Sequence, residues 1–245
     1  MAILTSPPYD PNPRQNHLLA NLPELGYQKL QPELERIHLS LGETISEVGD
    51  TAHYIYFPTT AIVSLLNVLE DGSTAEIAVV GREGVIGIAI FMGGASMLSR
   101  ALVQSEGYAY RIHGDVLKRE FDREPAMQHL FMRYIMALLA QMAQTAICNR
   151  HHSIDQQLCR WLLLSMDRLS GNVLNMTQEL IADMLGVRRE GVTEAAKKLQ
   201  DSGLISYSRG CITVLDRPGL EARVCECYKI VKEEFDRLLP DITAK

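Results

Sequence analysis

The first 147 residues of this chain contain no cysteine; Cys148, Cys159, Cys211, Cys225 and Cys227 all fall in the later part. An odd set gathered at one end is not a disulfide framework, so free thiols are expected. No apolar run reaches the roughly 18 residues of a membrane span, because Arg133 interrupts the longest helical stretch. The opening MAILTSPPYDPNPRQ lacks a basic leader, an apolar core and a small-residue cleavage site. No secretory signal is read there, and a cytoplasmic protein without membrane contact is expected. A P-loop, a dinucleotide fingerprint, a Ser or Cys nucleophile motif and a His-x-His pair are also missing. No catalytic residue is assigned, and the chain is read as a non-enzyme.

Positive charge is scarce overall, with a net charge of -6. Its distribution decides what that excludes. Residues 1–149 carry 10 basic and 16 acidic side chains, whereas residues 150–217 carry 9 and 8. A small DNA-reading module needs a positive face rather than a positive total, so the later segment qualifies.

At 245 residues, with 47% hydrophobic and 22% charged side chains, two folded domains are the default. Residues 1–16, rich in Pro and Asn, read as a flexible arm. Across 17–124 the pattern is of short apolar or alternating runs, such as His53 to Phe57, Ala61 to Leu65 and Ala75 to Val80, divided by Gly49-Asp50, Pro58, Asp71-Gly72 and Gly93-Gly94. Strands at such spacing predict an antiparallel β-roll, jelly-roll-like. After Pro125 a helix of roughly 25 residues is predicted, within the segment 125–151. One stripe runs Phe131, Ile135, Leu138, Met142 and a second Met132, Met136, Leu139, Ala143. Two stripes need two partners: the β-roll, and the same helix of a second subunit, with Leu138 taken as part of the dimer seam. The fold class is thus α+β, closed by a winged helix-turn-helix in 152–245.

That last assignment rests on particular residues. Thr177 is placed to cap a short amphipathic helix ending at Leu185, followed by Gly186, whose freedom at positive φ suits a tight turn between helices. A second helix, 188–200, puts Val192, Ala195, Ala196 and Leu199 on its apolar side. Arg188, Arg189, Glu190, Thr193 and Glu194 lie on its early exposed turns, where a recognition helix meets a major groove. Leu204 to Tyr207 and Cys211 to Val214 then form a hairpin around Gly210, a wing with Arg209 at its tip to meet a phosphate.

The order β-roll, long helix, winged helix-turn-helix resembles the Crp/Fnr regulators, most specifically in TQELIADMLGVRREGVTEAAKKLQDSGLI and RGCITVLDR. The resemblance covers roughly residues 17–225. It implies a sequence-specific regulator that binds double-stranded DNA as a homodimer through 125–151, with RNA polymerase as a further partner. The family's Arg-Glu pair stands at Arg189-Glu190, able to read G and C edges. Its later arginine is replaced by Glu194, so the usual operator is not expected. Thr177 and Gln178 match the phosphate contacts of the first helix.

In cyclic-nucleotide-binding members a Phe-Gly-Glu motif and a later Arg-Ser or Arg-Ala hold the ligand. Here Gly87 aligns with the motif glycine, but Ile88 replaces the ribose-binding Glu and cannot accept a hydrogen bond. Arg82, Glu83, Gly87 and Arg100 are the candidates for an effector pocket; no cofactor is expected, cyclic nucleotide is disfavoured and no effector is assigned. The N-terminal cysteine cluster of the iron-sulfur members is absent. Cys225-Glu-Cys227 and His151-His152 fall short of four-ligand zinc spacing and are read as a helical surface and a hinge, with no metal site. Two alternatives remain: an interaction protein that keeps the fold without binding DNA, for which Glu190 and Glu194 speak, and a cupin-like metalloenzyme using His38, His53 and His113.

Overall fold

The computed structural model describes residues 12–94, 96–169 and 171–240. The N-terminal unit holds strands β1 (Glu35–Leu39), β2 (Thr44–Ser46), β3 (Tyr54–Pro58), β4 (Ile62–Val68), β5 (Thr74–Val80), β6 (Arg100–Ser105) and β7 (Gly107–His113). They form two antiparallel sheets, ordered β1-β7-β3 and β2-β6-β4-β5. Helices α1 (His17–Ala20) and α2 (Glu24–Leu30) precede them, and α3 (Gly114–Arg123) follows. In β3, Ile55 and Phe57 are buried while Tyr54 is exposed, the alternation of a strand with one wet face. In β4, Ile62 to Leu66 are all buried. Helices cover the second face of that sheet.

The first of these is α4 (Pro125–His151), with Pro125 at its first turn, where the missing N–H costs nothing. Phe131, Ile135 and Leu138 are buried, and Phe131 packs edge-on against Phe57 and Phe91. Met132, Met136 and Leu139 stay 42%, 55% and 51% exposed. Leu138 therefore belongs to the face that covers the β-roll, not to a dimer seam. Neighbouring stripes on a 3.6-residue helix are offset by a single residue, which is why the two are easily exchanged in a sequence reading. By length and composition α4 matches a membrane span, yet 44% of that window is buried inside the fold.

Helix α4 stops where His152 and Ser153 turn extended. Ser153 and Gln156 form a capping box that starts α5 (Ile154–Met166). The C-terminal elements follow: β8 (Val173–Asn175), α6 (Gln178–Leu185), α7 (Arg189–Asp201), β9 (Ile205–Ser208), β10 (Cys211–Val214), α8 (Arg217–Arg223) and α9 (Glu226–Leu238). Their strands order as β8-β10-β9. Helix α9 returns to pack along α4, burying Cys227, Tyr228, Val231 and Phe235.

The arm expected over 1–16 differs in its last part; residues 1–11 lie outside the described residues. Asn16 is fully buried, its side chain donating to the Pro58 and Gly84 carbonyls at 2.9 and 2.8 Å while capping α1. A short polar side chain that satisfies several backbone groups acts as a peg, and composition alone does not reveal it.

Candidate nucleic-acid interface

The Thr177 hydroxyl accepts from the Leu180 N–H at 3.2 Å and so caps α6. Gly186 ends that helix with φ 64°, and a Cβ there would lie 3.1 Å from the Ala75 Cβ. Arg188 is the N-cap of α7, so the helix begins at Arg189 and ends at Asp201, one residue later than the sequence reading at each end. Val192, Ala195, Ala196 and Leu199 are buried, whereas Arg188, Arg189, Glu190, Thr193 and Glu194 are exposed. The recognition helix keeps its polar face free because its apolar stripe is held by α5. Gly191 contributes to that approach: a Cβ there would meet the Ile154 Cδ1 at 2.6 Å.

In the wing, Arg209 and Gly210 have φ of 52° and 76° and connect paired residues Ser208 and Cys211. Positive φ at both central positions is the two-residue turn whose twist matches flanking strands. It fixes the exposed Arg209 at the hairpin tip. The Tyr207 hydroxyl donates to the Met176 carbonyl at 2.9 Å and ties the wing to the start of α6.

These pieces converge. Thr177, Gln178, Arg189, Tyr207, Ser208, Arg209 and Gly210 line one open cleft of about 280 Å³. Two guanidinium groups and the N-terminal ends of α6 and α7 meet there, an arrangement that favours phosphate oxygens. The Thr193 hydroxyl lies 2.7 Å from Gln178 Oε1 and 3.0 Å from the Arg189 carbonyl. This cross-link between the two helices was not legible in sequence, since the partners stand fifteen residues apart. Arg189 Nε is 3.8 Å from Glu179 Oε2, an exposed pair that a phosphate or base can displace at little cost. Glu194 pairs with Lys198 at 2.9 Å, and that hydrogen bond raises the Lys198 ammonium above its ordinary pKa. The acidic charge of Glu194 is thereby offset on its own helix.

The candidate effector residues are not assembled into one pocket. Glu83 is bound by Arg168 Nε at 2.7 Å, and with Arg82 it lines a cleft shared with Leu164, Asp167 and Phe235. Arg100 is held by Glu47 at 2.8 Å. Gly87 has φ 96° beside Tyr54. Glu83 therefore ties the β-roll to the turn that follows α5, and an ion pair closed across 85 residues cannot be seen from local spacing. His53 and His113 share an open cleft of about 710 Å³ with Tyr54 and Tyr56. His38 packs instead on Tyr108, so the three histidines do not form the cupin-like set.

A different cluster appears at the far end of α4. Cys225 and Cys227, read as a helical surface, are buried with Cys148, and His152 joins them while His151 is exposed. Cys148 Sγ lies 3.7 Å from Cys225 Sγ, and Cys227 Sγ 3.4 Å from His152 Nδ1. The hydrogen bond between Cys148 and Cys225 holds the Cys225 thiol below its ordinary pKa and pushes Cys148 up. Among the described residues no other group of His, Cys, Asp and Glu is placed to hold a metal ion.

Comparison with known proteins agrees with this architecture. Residues 36–124 match the cyclic nucleotide-binding domain family and residues 156–223 the Crp-like helix-turn-helix domain family. The chain is 23% identical over 212 residues to the global nitrogen regulator of Synechococcus elongatus, covering 82% of this chain and 94% of that protein. It is 26% identical over 203 residues to the nitrogen fixation regulation protein FixK of Bradyrhizobium diazoefficiens, covering 76% and 81%. The structure of FixK2 from Bradyrhizobium japonicum superposes with a TM-score of 0.65 at 18% identity, over 78% of this chain and 98% of that one. A regulator of the crp/fnr family from Eubacterium rectale superposes with a TM-score of 0.67 at 18% identity, over 85% and 98%. With both family domains in their order along its length, the chain belongs to the Crp/Fnr family of DNA-binding transcription regulators.

Proposed function

We propose that this regulator acts in the cytoplasm as a homodimer that reads an inverted-repeat operator. The observation that carries the reading is the cleft in which Thr177, Gln178, Arg189 and Arg209 converge from two helices and the wing. Arg189 and Glu190 open the recognition helix and reach base edges; Thr177, Gln178 and Arg209 hold phosphates and set the register. The exposed line of Met132, Met136, Leu139 and Ile147 on α4 supplies a seam for the second subunit. A two-fold dimer then presents its recognition helices about 34 Å apart, to successive major grooves.

Glu190 and Glu194 favour the reading in which DNA binding has been lost, but the Glu194–Lys198 pair removes much of that objection. RNA polymerase is the natural further partner of such a regulator, and no catalytic role is proposed. Cyclic nucleotide is not proposed as the effector, since Ile88 offers no acceptor and Arg100 and Glu83 are engaged elsewhere. Site selection from a random DNA pool tests the reading. An inverted repeat should emerge, and Arg189→Ala should relax preference for guanine at one position per half-site. Selection unchanged by Arg189→Ala, at unchanged affinity, would show that α7 is not the reader.

A further inference from the structure

We propose that Cys148, His152, Cys225 and Cys227 hold a single soft divalent metal ion, of the zinc class, between the end of α4 and the start of α9. Their ligand atoms all lie within 4.8 Å of one another. Zinc binds thiolate at about 2.3 Å and imidazole at about 2.0 Å, so a tetrahedral site separates two sulfurs by about 3.8 Å and a sulfur and nitrogen by about 3.5 Å. The structure has 3.7 Å for Cys148–Cys225 and 3.4 Å for Cys227–His152. Those match two of the six edges of such a tetrahedron.

The surroundings of the four residues point the same way. His152 turns Nδ1 toward Cys227 and Nε2 toward Glu226 Oε2, 3.4 Å away. A carboxylate on the second nitrogen is the usual support for a metal-bound imidazole, because it fixes the tautomer and raises ligand basicity. Gln144 Nε2 donates to Cys227 Sγ at 3.1 Å, which supports negative charge on that sulfur. Cys225 and Cys227 sit at the N-terminus of α9, whose dipole also favours thiolate. The three cysteines form a small cluster apart from the main core, with only Val224 packed against it. Helix α9 already buries Tyr228, Val231 and Phe235, and an ion would pin its N-terminal end to the end of α4.

Competing explanations account for fewer of these contacts. A disulfide between Cys148 and Cys225 needs sulfurs about 2.05 Å apart and leaves Cys227, His152 and Glu226 without a role. A four-iron cluster, with one ligand on each iron, needs its ligands spread more widely than one ion does. The site also has a position of consequence. His152 is the last residue before Ser153 starts α5, so the ion would sit at the joint between the long helix and the reading domain.

The test uses the full chain, purified under reducing conditions without chelator, and involves no DNA, so its outcome is independent of the operator reading. Elemental analysis should find one zinc per subunit. Cys225→Ser and Cys227→Ser should lose it, while Cys159→Ser, a buried thiol outside the cluster, should keep it. Cobalt added to chelator-treated protein should give the absorption of a tetrahedral thiolate site at one equivalent, and Glu226→Gln should weaken cobalt binding about tenfold. If the serine variants do not fold, the cobalt titration of the unmodified chain decides alone. Absence of tetrahedral thiolate absorption, a Cys148–Cys225 disulfide in mass mapping, or acid-labile sulfide would each overturn the assignment.

Discussion

Replacing Glu76 with Gln should make the protein more stable in mild alkali and leave it nearly unchanged in mild acid. Glu76 lies on β5 and is buried where that sheet meets α5. Burial pushes its carboxyl up to about 7, although the Ser64 hydrogen bond and nearby Arg160 pull the other way. The geometry explains why the neutral form suits the site. Ser64 Oγ lies 2.6 Å from Glu76 Oε2 and 2.9 Å from Gln104 Oε1, and Gln104 Nε2 donates to Ser165 Oγ at 2.7 Å. Ser64 has one proton. A protonated Glu76 donates to Ser64, which then donates to Gln104; an ionised Glu76 takes that proton and leaves the Gln104 oxygen without a donor.

Because the folded value is raised from 4.5 to about 7, this contribution is complete below pH 4.5 and fades as pH rises through 7. The difference corresponds to roughly 3 kcal/mol between the acidic and alkaline limits, to order of magnitude. The substituted glutamine cannot ionise, and its amide can donate to Ser64 at every pH. Denaturant titrations of both proteins from about pH 5 to about pH 9 should give curves that separate through neutrality. Parallel curves over that range would refute the reasoning.

The remaining predictions concern the helix seam and the DNA surface. Met136→Glu or Leu139→Glu should yield a folded protein whose dimer is weakened at least tenfold, about 1.4 kcal/mol, by light scattering or sedimentation. Leu138→Glu should instead unfold the subunit, since it puts a charge into the β-roll core; a folded monomer there would reverse the assignment of the two faces. Arg189→Ala should cost about 1–3 kcal/mol per half-site and relax one base preference, measured by titration of matched and mismatched operators. Arg209→Ala should weaken all sequences alike and flatten the salt dependence, as loss of a phosphate contact does; a changed base preference would count against a wing contact to phosphate. Glu194→Arg should draw selected sites toward an additional guanine, and unchanged sites would move the register of α7.

What could be read from sequence was local. Thr177, Gly186 and the apolar spacing of Val192, Ala195, Ala196 and Leu199 sit within one supersecondary unit, and the hydrogen bonds that matter close over a few residues. Glu76 shows the limit: in Ala75 to Val80 it occupies what alternation marks as the wet face, but α5 covers that face. Arg168 closes on Glu83 across 85 residues, so neither side chain announces its partner. The cysteines needed Cys148 and Cys225, 77 positions apart, to be brought together by α9 turning back along α4. Spacing rules for metal ligands see only one half of such a site.

The surface on which the helix-turn-helix rests is the β4–β5 hairpin: Thr74 Oγ1 donates to the Asp183 carbonyl at 3.1 Å, and Gly186 lies against Ala75. The reading helix starts just beyond Gly186, at Arg189. The hairpin therefore acts as a gauge block behind α7, and in the proposed homodimer its thickness would enter the distance between the two half-sites. Ala75→Val would push on the turn at Gly186, and in that homodimer it would do so at both readers, so that the hairpin would act on operator spacing from both sides.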